Sequence, residues 1–256
     1  MRFLAKLFAV VAPLSILLAT PATARDWNAI KDSGTIIAAT EGAFFPFNYF
    51  EGPKLTGYEV DVAEAVAKKL GLKLEWRVVS FDAQLASIRQ DRFDFAIASH
   101  GFTEERARAV DFTSPHYCTG GQIAAPKNGT LTVAALNGKT VGVQLATSYF
   151  DNAKKVPGIK EIKTYKADPE AFSALKAKKV DAWISDKWLI KATLEKNADS
   201  GVVTGDQLFV ERVSAIVRKN NKEFVEKFNQ AIADLTKDGT LNALSQKYFK
   251  TDITCR

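Results

Sequence analysis

Asp94-Phe-Ala-Ile-Ala-Ser-His-Gly-Phe-Thr-Glu-Glu-Arg106 is a short apolar run that ends in small residues and passes directly into a helix start at Thr103. An apolar run of this length reads as a buried strand. Thr103 is a favourable N-cap, and Arg106 falls in the first turn behind it. The Arg106 guanidinium is flat, permanently charged and matched in shape to a carboxylate. At the mouth of a strand-to-helix turn such a fork faces a cleft.

The same unit recurs on both sides of this stretch. Towards the N-terminus, residues 35–40 and 74–79 read as strands. Residues 61–70 read as an amphipathic helix stopped by Gly71, and residues 82–90 as a helix with Leu85 and Ile88 at helical spacing. Residues 93–98 are the strand of the quoted run, and 103–110 its helix. Towards the C-terminus, 122–125, 140–143, 161–165 and 181–184 read as strands, with helices from Thr147, from Pro169 to Lys178, and over 188–196. Residues 213–217 form a later apolar strand, and two helices follow over 223–237 and 240–249, broken at Gly239. Alternation of this kind predicts α/β sheets with helices on their faces. The two blocks share a plan, each with a strand that carries an Asp near its start (Asp94, Asp181). Asp61, Asp94, Asp111 and Asp181 read as structural caps and sheet-edge residues. Thr147 opens a second strand-to-helix turn, and Asp186 follows a third strand. With Arg106 they offer a cation, a helix N-terminus and a carboxylate, which suit a molecule carrying both a carboxylate and an ammonium.

Residues 1–24 have the layout of a secretory signal peptide. Arg2 and Lys6 are the positive start, 7–18 the apolar run, and Ala22-Thr23-Ala24 a small-residue cleavage site. The apolar run is too short for a membrane anchor and is broken by Pro13 and Ser15. The expected mature chain starts at Arg25 and is exported. The formal charge of +6 falls to about +4 when Arg2 and Lys6 leave. The remaining lysines, such as Lys68-Lys69, are spread over helix faces and read as solvated surface rather than a nucleic-acid patch. Only His100 and His116 accompany the two cysteines, Cys118 and Cys255, and none has metal-ligand spacing. Neither a metal nor a cofactor is expected. Export permits a bridge between the cysteines, or two separate thiols.

Five further stretches carry a family resemblance. They are Gly34-Thr-Ile-Ile-Ala-Ala-Thr-Glu-Gly-Ala-Phe-Phe-Pro-Phe47, Leu55-Thr-Gly-Tyr-Glu-Val-Asp-Val-Ala63, Phe102-Thr-Glu-Glu-Arg106 with Val110-Asp-Phe-Thr-Ser-Pro-His-Tyr117, Leu136-Asn-Gly-Lys-Thr-Val-Gly-Val143 and Asp238-Gly-Thr-Leu241. In this order they resemble the periplasmic polar-amino-acid-binding proteins of ABC transporters, solute-binding protein family 3. The resemblance covers essentially the whole mature chain. It implies a two-lobed α/β periplasmic-binding-protein fold of class II, with the ligand cleft between lobes joined by a two-segment hinge. Lobe 1 would comprise residues 25–120 and 212–256, and lobe 2 residues 121–211. Hinge closure around a free L-amino acid, with a polar or cationic side chain favoured by Glu41, would present the closed form to the membrane permease of an ABC importer. A monomer is expected.

The resemblance also assigns roles. Arg106 would grip the ligand α-carboxylate. Ser99 and Gly101 would bond the ammonium and carboxylate from the loop before it, Gly101 through its N–H where many relatives have a hydroxyl. Thr147 and Ser148 would cap the same carboxylate from lobe 2, and Asp186 would take the α-ammonium. Relatives usually have glycine at the position of Ala146, so an altered turn is expected there. Phe44 and Phe81 would sandwich the side chain, and Glu41 would pair with a cationic one. Gln144, Tyr149 and Ser185 match variable wall positions, and His100 lies beside the carboxylate loop. The resemblance returns the C-terminal tail to the hinge, which would let Cys118 and Cys255 bridge. An exported dehydratase acting on prephenate-like acids is the enzymatic alternative on this scaffold, with Glu41 or His100 as general acid.

Overall fold

The computed structural model describes residues 25–255, so the signal-peptide reading of 1–24 lies outside the described residues. Two separate sheets are built on one plan. In the first, Thr35–Thr40 lies between Lys73–Val78 and Phe95–Gly101, parallel to both. In the second, Thr140–Gln144 lies between Glu161–Tyr165 and Ala182–Asp186, again parallel to both. Each parallel trio then gains an antiparallel neighbour, Glu211–Arg218 in the first sheet and Gly121–Pro126 in the second. Val110–Phe112 and Tyr117–Thr119 add to Glu211–Arg218, and Val202–Gln207 closes the far edge of the second sheet.

The inner strands are almost wholly apolar because helices cover both faces. Ile36, Phe95, Ile97, Val213 and Val217 pack against Val62, Val66, Phe224 and Phe228, and Val141, Val143 and Trp183 pack against Phe172 and Leu175. The paired aspartates of the shared plan have parallel uses. Asp94 Oδ2 accepts the Ile37 N–H at 2.7 Å, and Asp181 Oδ2 accepts the Thr140 N–H at 2.8 Å, each in the central strand of its own sheet.

The chain crosses between sheets twice, at 119–121 and 207–211, and the crossings lie side by side. Glu211 stands opposite Thr119, and the Leu208 N–H reaches the Gly121 carbonyl at 2.7 Å. Gly120 and Gly121 permit this approach. A Cβ on the first would collide with the Phe209 carbonyl, and on the second with the Phe209 ring. Cys118 and Cys255 form a disulfide with Cα atoms 4.9 Å apart, and the Cys118 N–H donates to Ile253. The tail is thereby fastened beside the first crossing.

Two expectations are corrected. Ser99, His100 and Gly101 are not a loop but the end of the Phe95–Gly101 strand, because Val213 and Ser214 pair with Gly101 and His100. The turn at Ala146 is not altered, since Ala146 keeps a left-handed φ of 61°. Sequence reading also omits the Trp27–Ser33 helix, the short sheet of Ala43–Phe44, Asn48–Glu51 and Lys54–Thr56, and the Val202–Gln207 strand. These pieces are short or carry polar residues on both faces, so periodicity does not mark them.

Candidate ligand-binding site

Arg106 is set by its cap. Thr103 Oγ1 accepts the Arg106 N–H at 3.1 Å, and the Glu104–Ala109 helix starts there. The Arg106 side chain is buried, lies 5.6 Å over the Phe81 ring, and donates to the Gly101 and Ala146 carbonyls, both at 2.8 Å. Gly101 belongs to the first sheet and Ala146 to the turn after a strand of the second, so the guanidinium spans both lobes. A second contact does the same, with Gln144 Nε2 donating to Glu41 Oε1 at 2.7 Å. The lobes therefore touch across the cleft, and what lies between them is a small cavity of about 10 Å³, room for about one water.

Glu41, Phe44, Phe81, Ser99, Gln144, Thr147 and Ser148 line that cavity, together with Tyr149 and Ala98. Thr147 Oγ1 accepts the Phe150 N–H at 3.2 Å, capping the Ser148–Ala153 helix as the sequence reading expects. A larger cavity of about 340 Å³ opens to solvent and includes Phe45, Tyr49, Phe172, Lys176 and Lys196. It holds none of the groups that the resemblance assigns to the ligand head.

The remaining assigned residues are more committed to the protein. Ser99 has φ 61°, its N–H reaches Glu59 Oε1 at 2.8 Å, and its Oγ donates to Glu59 Oε2 at 3.0 Å. Glu59 is a fully buried hub that also takes Asn48 Nδ2 at 2.8 Å and sits 2.9 Å from His116 Nε2. It is not among the expected site residues, because the sequence reading starts this helix at residue 61, whereas it spans Tyr58–Leu70. His100 does not line the cavity. Its ring stacks on Phe81 at 4.9 Å, and neither nitrogen has a hydrogen-bond partner. Burial, with Arg106 and His116 nearby, pushes its pKa well below the ordinary histidine value and keeps it neutral.

Asp186 Oδ1 caps the Lys187–Lys196 helix, accepting the Trp188 and Leu189 N–H groups at 2.7 and 3.0 Å. Its Oδ2 accepts the Thr119 hydroxyl at 2.7 Å and the Tyr149 hydroxyl at 3.4 Å. Burial raises its pKa to about 6 despite these bonds. Ser185, read as a variable wall residue, donates to Asp168 Oδ1 at 2.7 Å. Burial lifts Asp168 to about 7, and burial together with the charge of Asp168 lifts Glu41 to about 8. Glu211, at the end of the second crossing, is a further buried carboxylate beside Arg106, Ser148 and Tyr149, and burial holds it at about 7. It also lies outside the sequence-based set.

This geometry has clear relatives. The family model for bacterial extracellular solute-binding proteins, family 3, matches residues 36–251. The L-cystine-binding protein TcyJ of Escherichia coli (strain K12) is 35% identical over 233 residues, spanning 89% of this chain and 87% of TcyJ. The structure of an ancestral arginine-binding protein bound to arginine superposes with a TM-score of 0.81 at 35% identity, over 84% of this chain and 98% of that one. The ancestral amino acid-binding protein AncCDT-1, a precursor of cyclohexadienyl dehydratase, gives 0.81 at 28% identity, over 87% and 98%. With the family model matching nearly the whole described chain, and the two lobes meeting over an arginine at the mouth of a strand-to-helix turn, this chain belongs to the bacterial extracellular solute-binding proteins, family 3.

Proposed function

We propose that this protein captures a free L-amino acid in the periplasm by hinge closure and delivers it to the permease of an ABC importer. Residues 25–120 and 212–256 act as lobe 1 and residues 121–211 as lobe 2, and the protein works as a monomer without cofactor. One observation carries this reading. Arg106 reaches from lobe 1 to a lobe-2 carbonyl beside the Thr147 cap, so a carboxylate bound there touches both lobes and favours closure. The relatives named for cystine and arginine support an amino acid as the solute. Glu41, which lines the same cavity as Thr147, favours a polar or cationic side chain. Electrostatic complementarity at this position sets specificity more than affinity.

Calorimetry with the common amino acids and cystine, after unfolding and refolding to strip bound solute, tests the reading. At least one amino acid is expected to bind. Arg106→Ala is expected to weaken it by about 2–5 kcal/mol, the usual cost of removing one partner of a buried charged pair, with the fold retained. Binding of none of the panel, or of sugars alone, overturns the proposal. A dehydratase is the second reading, favoured by Glu41, which burial keeps protonated near neutral pH and so able to act as a general acid. Turnover of prephenate or arogenate by the same preparation would establish it. The relatives named as binding proteins for cystine and arginine argue for binding.

A further inference from the structure

Gly101 has no side chain where many relatives carry a hydroxyl, and the space is not vacant. A Cβ built on Gly101 would fall onto the Glu211 carboxylate. Glu211 reaches this point from the second crossing, opposite Thr119. Both of its oxygens are buried, and neither has a hydrogen-bond partner. Ser148 and Tyr149 lie close enough to favour its ionised form, without a hydrogen bond of ordinary geometry to it. Arg106 is near but not paired with it, because its guanidinium is turned to the Gly101 and Ala146 carbonyls.

The other acceptors around this point, by contrast, already take part in hydrogen bonds. Asp186 uses Oδ1 for two helix N–H groups and Oδ2 for the Thr119 and Tyr149 hydroxyls. The Ser99 hydroxyl is directed at Glu59. The Gly101 carbonyl is taken by Arg106. An ammonium brings three donors and is costly to bury unless each finds an acceptor. Among these residues, the unpaired acceptor is the Glu211 carboxylate. Leaving it buried and unpaired in the empty protein is costly, and a bound cation would remove that cost.

Resting on the amino-acid reading, we infer that Glu211 is a ligand-binding residue that receives the α-ammonium, in the space that the absent Gly101 side chain leaves open. Gly101 and Glu211 then form one unit, in which a carboxylate from the hinge replaces a hydroxyl from the strand. Because Glu211 is the last residue of the second crossing, the ligand ammonium acts directly on the hinge, while Arg106 holds the carboxylate.

The test is calorimetry of wild type, Glu211→Gln, Glu211→Ala, Gly101→Ser and the Gly101→Ser/Glu211→Ala double variant. Each is titrated with the tightest amino acid of the panel and, by competition, with its des-amino analogue. The Glu211 variants are expected to lose about 30-fold or more for the amino acid and less than about threefold for the analogue, as for removal of one partner of a buried charge pair. Gly101→Ser alone is expected to weaken both through the clash, and the double variant to recover part of the amino-acid affinity. Glu211→Gln preserves the shape if Glu211→Ala does not fold. Equal losses for both ligands overturn the assignment, as does tighter binding by Glu211→Ala, which would make Glu211 an internal competitor for Arg106. A wild type that binds no amino acid removes the functional reading itself. A wild type that binds, with variants that do not discriminate, removes only the role of Glu211.

Discussion

Ala146 holds a left-handed φ of 61° with its side chain exposed, so the strain of that conformation is not offset by packing. A left-handed backbone costs a residue with a Cβ about 1–2 kcal/mol, and the greater freedom of glycine in the unfolded chain returns about 0.4–1 kcal/mol of that difference. Ala146→Gly is therefore expected to stabilise the protein by about 0.5–1 kcal/mol, read from the shift of a urea transition. Destabilisation would show that the methyl group has a contact role here. Residue-scale legibility follows the same division between local and remote causes. Thr103, Thr147 and Asp186 are readable as caps because a cap bonds N–H groups two or three residues away. Glu59 and Glu211 are not readable. The partners that make Glu59 a buried hub include Ser99 and His116, and what makes Glu211 unusual is the missing side chain of Gly101. Nothing in the local run Phe209-Val-Glu-Arg212 separates that acid from a solvated one.

At the scale of elements, inner strands are legible because burial on both faces leaves long apolar runs, and helices because their caps and apolar spacing coincide. The extension of the central strand through Ser99-His100-Gly101 is not, since its partner Glu211–Arg218 is remote in sequence. The two aspartates of the shared plan separate by burial. Asp94 is buried, accepts Ile37 N–H and pairs with Arg25 at 3.1 Å, whereas Asp181 accepts Thr140 N–H at the surface. Water can replace the Asp181 bond more readily than the Asp94 bonds. Asp94→Ala is expected to cost about 1–3 kcal/mol and Asp181→Ala less than about 1.5 kcal/mol in the same urea measurement. An equal or larger loss for Asp181→Ala would show that the shared plan places the heavier demand on the second sheet.

Across the whole molecule, four carboxyls are buried close enough for their charges to act on one another, Asp168 on Glu41 and Asp186 on Asp168 and Glu211. Burial is the main cause in each case, and it raises Glu41 to about 8, Asp168 and Glu211 to about 7 and Asp186 to about 6. Exposure on opening or unfolding returns them towards ordinary carboxylate values near 4. Between about pH 4 and 8 the closed, empty protein therefore holds more protons than the unfolded chain. The slope of unfolding free energy with pH follows the protons bound by the unfolded chain minus those bound by the native one, so this contribution is negative. It stabilises the empty closed form at the acidic end and fades as pH climbs through 6 to 8, by up to about 1.4 kcal/mol per pH unit for each proton involved. A ligand ammonium favours the ionised carboxylates and expels those protons, so binding should tighten over the same rise in pH. Titration at pH 6.5 in two buffers of different ionisation enthalpy is expected to show net proton release on amino-acid binding, reduced in Glu41→Gln. Proton uptake, or binding heats that do not depend on the buffer, would mean that these carboxyls are already ionised in the empty cleft.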